Sequence, residues 1–130
     1  MCDYNHITAI LINNLNDIYN YLNDKITTIF IDEANFMQGN IDVLIDLSIN
    51  RDLDVFIAGL NLTSELKPFG IMPDIMAISD EIVLLHASCN DCNRDASYTY
   101  YTGSKDSDIL VGNDNYIALC PKCLRKRLNK

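Results

Sequence analysis

Four cysteines in two pairs are the strongest chemical signal in this chain. Cys89-Asn90-Asp91-Cys92 and Cys120-Pro121-Lys122-Cys123 are C-x-x-C motifs with 27 residues between them. A C-x-x-C on a tight knuckle presents two sulfurs to one ion, and two knuckles make a tetrahedral four-thiolate site. Zn²⁺ favours that geometry, and four thiolates leave no open position for water, so the expected role is structural. Iron is chemically possible in the same ligand set. Two redox dithiols or two disulfides are the competing readings, and paired knuckles in an acidic, intracellular-type chain argue against both. Cys2 is left over.

A second signal is Asp32-Glu33, where the apolar run Ile29-Phe30-Ile31 meets two carboxylates. In phosphoryl transfer an aspartate at such a strand end holds Mg²⁺ beside the nucleotide phosphates, usually through water. The adjacent glutamate takes a proton from the attacking hydroxyl. The plain alternative is an acidic loop start after a strand. Among the remaining residues, His86 reads as a packed or rim histidine. Tyr98, Tyr100 and Tyr101 fit alternate positions of a β-hairpin as well as they fit base stacking.

These groups need a scaffold, and hydrophobic periodicity supplies one. His6 to Ile12, Lys25 to Ile31, Asp54 to Leu60 and Glu81 to Ala87 read as strands. Asn14 to Asn23 and Asn40 to Asn50 carry apolar residues at helical spacing, and Asp74 to Ser79 reads as a brief helix after Pro73. Strands alternating with helices, with nearly unbroken apolar runs, predict a mostly parallel sheet covered on both faces. Functional groups gather at the carboxyl ends of such strands. Asp32-Glu33 and Gly59-Leu60-Asn61 fall there. From Cys89 the chain turns richer in Asn, Asp, Tyr and Cys. The expected division is therefore an α/β part, residues 1–87, and a small metal-binding β subdomain, residues 88–130.

The chain has 130 residues, 48% apolar and 22% charged, which suits a globular domain and excludes a wholly disordered or collagen-like chain. No apolar run approaches the ~20 residues of a membrane-spanning helix, and no signal peptide is visible, so a cytoplasmic protein is expected. The net charge is −8. Lys122, Arg125, Lys126, Arg127 and Lys130 hold half the basic residues, which leaves five basic against eighteen acidic, or −13, before them. A body that negative argues against nucleic acid as a partner. The basic tail reads as a solvated terminus.

Taken together, IDEANF at 31–36, AGLN at 58–61, KPFG at 67–70 and the two C-x-x-C pairs resemble the zinc-containing thymidine kinases of cells and viruses. Ala96-Ser97-Tyr98-Thr99 after the first pair, and Val111-Gly112, Asp114 and Tyr116 before the second, extend the resemblance over nearly the whole chain. It implies a P-loop-NTPase-like sheet followed by a zinc ribbon. It also implies thymidine and ATP as substrates, Mg²⁺ with the ATP, structural Zn²⁺ and a homo-oligomer, tetrameric in the family. By the same resemblance Glu33 is the general base toward the deoxyribose 5′-hydroxyl, and Asp32 lies by Mg²⁺ and triphosphate. Leu60 and Ser64 are assigned to the substrate side. Ser107, Asp108, Ile109, Leu110 and Val111 follow the thymine base through main-chain groups, and Tyr116 packs near the nucleoside. Zinc would pin the base of that loop and lower the entropy cost of ordering it.

The sequence also departs from the family. None of its five glycines (Gly39, Gly59, Gly70, Gly103, Gly112) precedes a Lys-Ser or Lys-Thr pair, so no phosphate loop of G-x-x-x-x-G-K-[ST] type is present in these residues. Only 31 residues precede Asp32. The expectation is the family's C-terminal two thirds with the first strand missing: a truncated product, a start set at an internal Met, or a decayed copy. Ser64 stands where relatives usually bear a Phe that stacks on thymine, Asn61 replaces a common Asp, and Tyr100-Tyr101 replace a basic pair. The alternatives to a kinase are a non-enzymatic zinc-ribbon interaction module and an inactive subunit of a kinase oligomer.

Overall fold

A computed structural model describes residues 8–103 and 115–129. The chain forms two compact units: one runs to Gly59 and adds Gly70–Ile78, and the other comprises Leu60–Phe69 and the chain from Ser79 onward.

The first unit is built on strands β1 (Thr28–Ile31) and β2 (Asp54–Ile57), paired in parallel with Phe30 opposite Phe56. Alternation along the strands turns Ile29, Ile31, Val55 and Ile57 to one face. There they meet a core of Leu15, Ile18, Ala34, Met37, Val43, Leu44, Leu47, Met72 and Ile75. Four helical segments supply that core, the shortest a 3₁₀ turn at Ala34–Phe36. Leu15–Tyr21 is a 3₁₀ helix whose first turn is capped by Asn14, the Asn16 N–H donating to its Oδ1 at 2.9 Å. Helix α1 (Asp42–Ile45) widens into a π-helical turn, Asp46–Asn50, closed by Arg51 N–H to the Asp46 carbonyl at 3.0 Å. Helix α2 (Met72–Ile78) takes Pro73 in its first turn, where no N–H is needed.

Three expectations are corrected here. The sheet is covered on one face among the described residues: Phe30 and Phe56 stack at 5.1 Å on the other, 74% and 56% exposed. Every helical segment of this unit contributes to the same core, so among the described residues none of them covers the second face. Residues 8–12 form no strand, and Leu11 is 92% exposed; His6 and Ile7 lie outside the described residues. Residues 81–86 also form no strand, with Val83, Leu84 and Leu85 at 70%, 60% and 86% exposure, and His86 is exposed as well. A β-branched run becomes a strand only by hydrogen bonding along an edge, and neither run finds one among the described residues.

The second unit contains a hairpin-like excursion at 61–69, where Leu62 bridges Pro68 and the Phe69 N–H donates to the Asn61 carbonyl at 3.0 Å. Short strands β3 (Ala87–Ser88) and β4 (Asp95–Ala96) flank the first cysteine knuckle as an antiparallel pair. Strands β5 (Tyr98–Tyr101) and β6 (Tyr116–Leu119) form a second antiparallel pair. Helix α3 (Pro121–Leu128) begins on the second knuckle. Its core is Cys89, Ala96, Leu119, Cys120, Cys123 and Leu124, a cluster too small to serve without help from the cysteines.

Candidate metal centre and acid pair

Each knuckle is made by local hydrogen bonding. In the first, the Cys89 N–H donates to the Arg94 carbonyl at 2.7 Å and the Asn93 N–H to the Cys89 carbonyl at 2.9 Å, with Asn93 in the left-handed region at φ 64°. That conformation suits asparagine better than most residues. In the second, Cys120 caps α3 and Pro121 opens it, with the Cys123 N–H directed at the Cys120 Sγ at 3.5 Å.

The four sulfurs converge. All lie within 4.8 Å of one another, and Cys92 Sγ and Cys120 Sγ are 3.7 Å apart. A tetrahedron built on Zn–S bonds of ~2.3 Å has edges of roughly 3.8 Å, so the observed spacing fits an ion at the centre. The four cysteines are free thiols with no disulfide among them. Their electrostatics also call for a cation. Burial opposes ionisation at Cys89, but backbone N–H groups of Cys120, Asp91 and Cys92, with the Cys92 thiol, bring it down to about 6. The N–H of Cys123 likewise lowers Cys120. Burial and the neighbouring thiols push Cys123 up to about 12. Four thiolates cannot share this space without a positive charge, which a divalent ion held by the four sulfurs would supply.

The acid pair stands at the carboxyl end of β1. The Ala58 N–H donates to the Ile31 carbonyl at 2.9 Å and the Ala34 N–H to the Ala58 carbonyl at 3.1 Å, so the ends of both strands are locked together. Between them Glu33 adopts the left-handed conformation, φ 55° and ψ 38°. This is an unusual state for a residue with a long side chain, and such strain recurs at functional sites. Asp32 Oδ1 accepts the Glu33 N–H at 2.8 Å, and both side chains are exposed.

Asn35, which the sequence offered only as part of the IDEANF motif and with no role of its own, anchors this turn. It is 3% exposed and approached by two glycines. A Cβ on Gly59 would stand 3.1 Å from the Asn35 Oδ1, and one on Gly70 would stand 2.4 Å from its carbonyl oxygen. The glycines of AGLN and KPFG are therefore close-approach positions around the acid-pair turn.

The other expected site residues are distributed as follows. Leu60 is 51% exposed, directly after Gly59 along the chain. Ser64 is half-buried in the turn of the 61–69 excursion, between the Thr63 and Lys67 backbone bond. Tyr116 opens β6, its ring 5.1 Å from that of Tyr101. Ser107, Asp108, Ile109, Leu110 and Val111 lie outside the described residues. The basic tail is largely solvated as expected, with Lys122, Arg125 and Lys126 exposed along helix α3, while Arg127 folds back onto Asp91 at 2.8 Å.

The family model described as "Thymidine kinase" matches residues 3–124. The chain belongs to the thymidine kinase family. A thymidine kinase of Mycoplasma mobile is 34% identical over 118 residues, covering 90% of this chain and 59% of that protein. One from Porphyromonas gingivalis is 35% identical over 126 residues, 95% of this chain and 61% of its own length. One from Bacteroides thetaiotaomicron is 41% identical over 106 residues, 79% of this chain and 53% of its own length. This thymidine kinase family chain thus spans about three fifths of the curated relatives it matches. Among its described residues no helix is long and apolar enough to cross a membrane.

Proposed function

We propose that this chain serves a thymidine kinase, transferring the γ-phosphoryl group of ATP to the 5′-hydroxyl of thymidine. Glu33 accepts the hydroxyl proton as that oxygen attacks, and Asp32 stands on the Mg²⁺ and triphosphate side. The observation that carries this reading is the strained Glu33 turn locked to the end of β2, in a chain that matches the family over residues 3–124. In this reading β1 and β2 belong to a P-loop-NTPase-like sheet within residues 1–87. Residues 88–130 form the zinc-bearing subdomain, with Ser107, Asp108, Ile109, Leu110 and Val111 along the thymine, and Leu60, Ser64 and Tyr116 near the nucleoside. Zn²⁺ held by Cys89, Cys92, Cys120 and Cys123 is structural. Assembly as a homo-oligomer in the cytoplasm completes the proposal.

Calorimetry with thymidine, paired with an assay of thymidine monophosphate formed from ATP and Mg²⁺, tests it. Binding of thymidine in the micromolar range is expected, and any turnover should be lost in Glu33→Gln while binding persists. A chain that takes up no thymidine refutes the reading.

A further inference from the structure

The first knuckle is tied to α3 by more than the sulfurs. Asp91 lies between Cys89 and Cys92, and Arg127 lies one helical turn beyond Cys123. The Arg127 Nε and Nη2 donate to the two Asp91 carboxylate oxygens at 2.9 and 2.8 Å. The guanidinium also lies over the Tyr100 ring of β5, 5.4 Å from its centroid. A lone surface ion pair contributes little. This one has the two-pronged geometry in which arginine holds a carboxylate best, an aromatic face beneath the cation, and side chains only 31% and 29% exposed.

We infer that Arg127 is a positioning residue of the metal centre, strapping the first cysteine knuckle to the helix that carries the second so that four thiolates are held ready to close on one ion. The inference rests on the reading of these cysteines as metal ligands. Two physical effects act in the same direction. The knuckles are separated by 27 residues, and a strap that holds them together reduces the ordering left for the metal to impose. The Asp91 carboxylate, placed between two ligand residues, would otherwise repel the developing thiolate charge. Arg127 neutralises it and so spares a further negative charge beside a centre whose four thiolates already outweigh a divalent cation. Lysine would supply the charge without the two-pronged grip.

The test uses the full chain with Co²⁺ and Zn²⁺ as probes. Visible absorption of Co²⁺ reports tetrahedral thiolate ligation, titration gives the dissociation constant, and a chelator gives the rate of loss. Arg127→Ala is expected to keep the wild-type Co²⁺ spectrum while weakening affinity about tenfold and speeding metal loss. Arg127→Lys should recover part of the deficit. Asp91→Asn, which breaks the grip but also removes the carboxylate that repels the thiolates, should weaken binding less than Arg127→Ala, and the double variant should bind no worse than Arg127→Ala alone. Wild-type affinity in both Asp91→Asn and Arg127→Ala, or full additivity in the double variant, overturns the strap while leaving the metal reading intact. A wild-type chain that binds neither ion overturns both.

Discussion

Single side chains in this chain do work that their neighbours make possible. Asp46 is the clearest case. It accepts the Tyr19 hydroxyl at 2.6 Å, the Asn50 amide at 2.9 Å and the Arg51 Nε at 3.0 Å, and Arg51 in turn lies over the Tyr19 ring. The Tyr19 hydrogen bond leads these in holding the carboxyl down at about 2, below its ordinary 3.8. A carboxyl lowered by folding stabilises the fold above its unfolded value, and that contribution is lost as pH falls from 3.8 toward about 2. Tyr19→Phe should therefore move the Asp46 titration upward, read by carbon-detected NMR, and shift the onset of acid unfolding to higher pH. At Glu33 the strained backbone makes a different prediction. Glu33→Gly should relieve the left-handed strain and leave stability unchanged or raised by about 1 kcal/mol in urea unfolding. Any turnover should disappear, a trade of stability against function that an ordinary loop residue would not show.

At the scale of elements, the acid-pair turn depends on how closely three backbone segments approach. Gly70 has φ +53°, and a Cβ there would meet the Asn35 carbonyl oxygen at 2.4 Å. Neither backbone can yield easily, so Gly70→Ala should cost about 1–3 kcal/mol in urea unfolding. At Gly59 the closest neighbour of an added Cβ is the Met72 sulfur at 2.9 Å, the end of a flexible side chain. Gly59→Ala should therefore be the milder of the two. Equal losses would mean that the turn is not held by the Asn35 approach. The strands teach a related lesson. Ile29, Phe30 and Ile31 read as one buried run, yet alternation sends only the isoleucines into the core, and the phenylalanine stacks on Phe56 outside it. Composition shows that a segment is apolar, and pairing decides which of its faces is covered.

At the scale of the whole chain, the two units have separate sources of stability. Among the described residues the first has a core of ten buried apolar residues, and the second has six, three of them cysteines. A metal ion held by the four cysteines would supply what so small a core lacks. Two calorimetric transitions are therefore expected, and a strong chelator should lower or abolish one while leaving the other in place. With the Cys123 thiol held up at about 12 in the metal-free cluster, binding an ion must displace protons. Metal affinity should thus rise with pH, with protons released on titration in weakly buffered solution. A single transition insensitive to chelation would show that the cysteines do not carry the second unit.

The sequence alone determined the chemistry on offer: two C-x-x-C knuckles, a carboxylate pair after an apolar run, and the glycines of AGLN and KPFG. Those signals are local, because a knuckle, a strand end and a tight turn are set by a few consecutive residues. Tertiary structure alone decided which apolar runs became strands, since hydrogen-bonding edges come from distant chain and 81–86 met none among the described residues. It likewise made Asn35 a buried joint and turned a basic tail into a helix whose Arg127 grips Asp91, 36 residues away. Contacts between residues so far apart leave no local pattern, and only the folded chain brings them within reach.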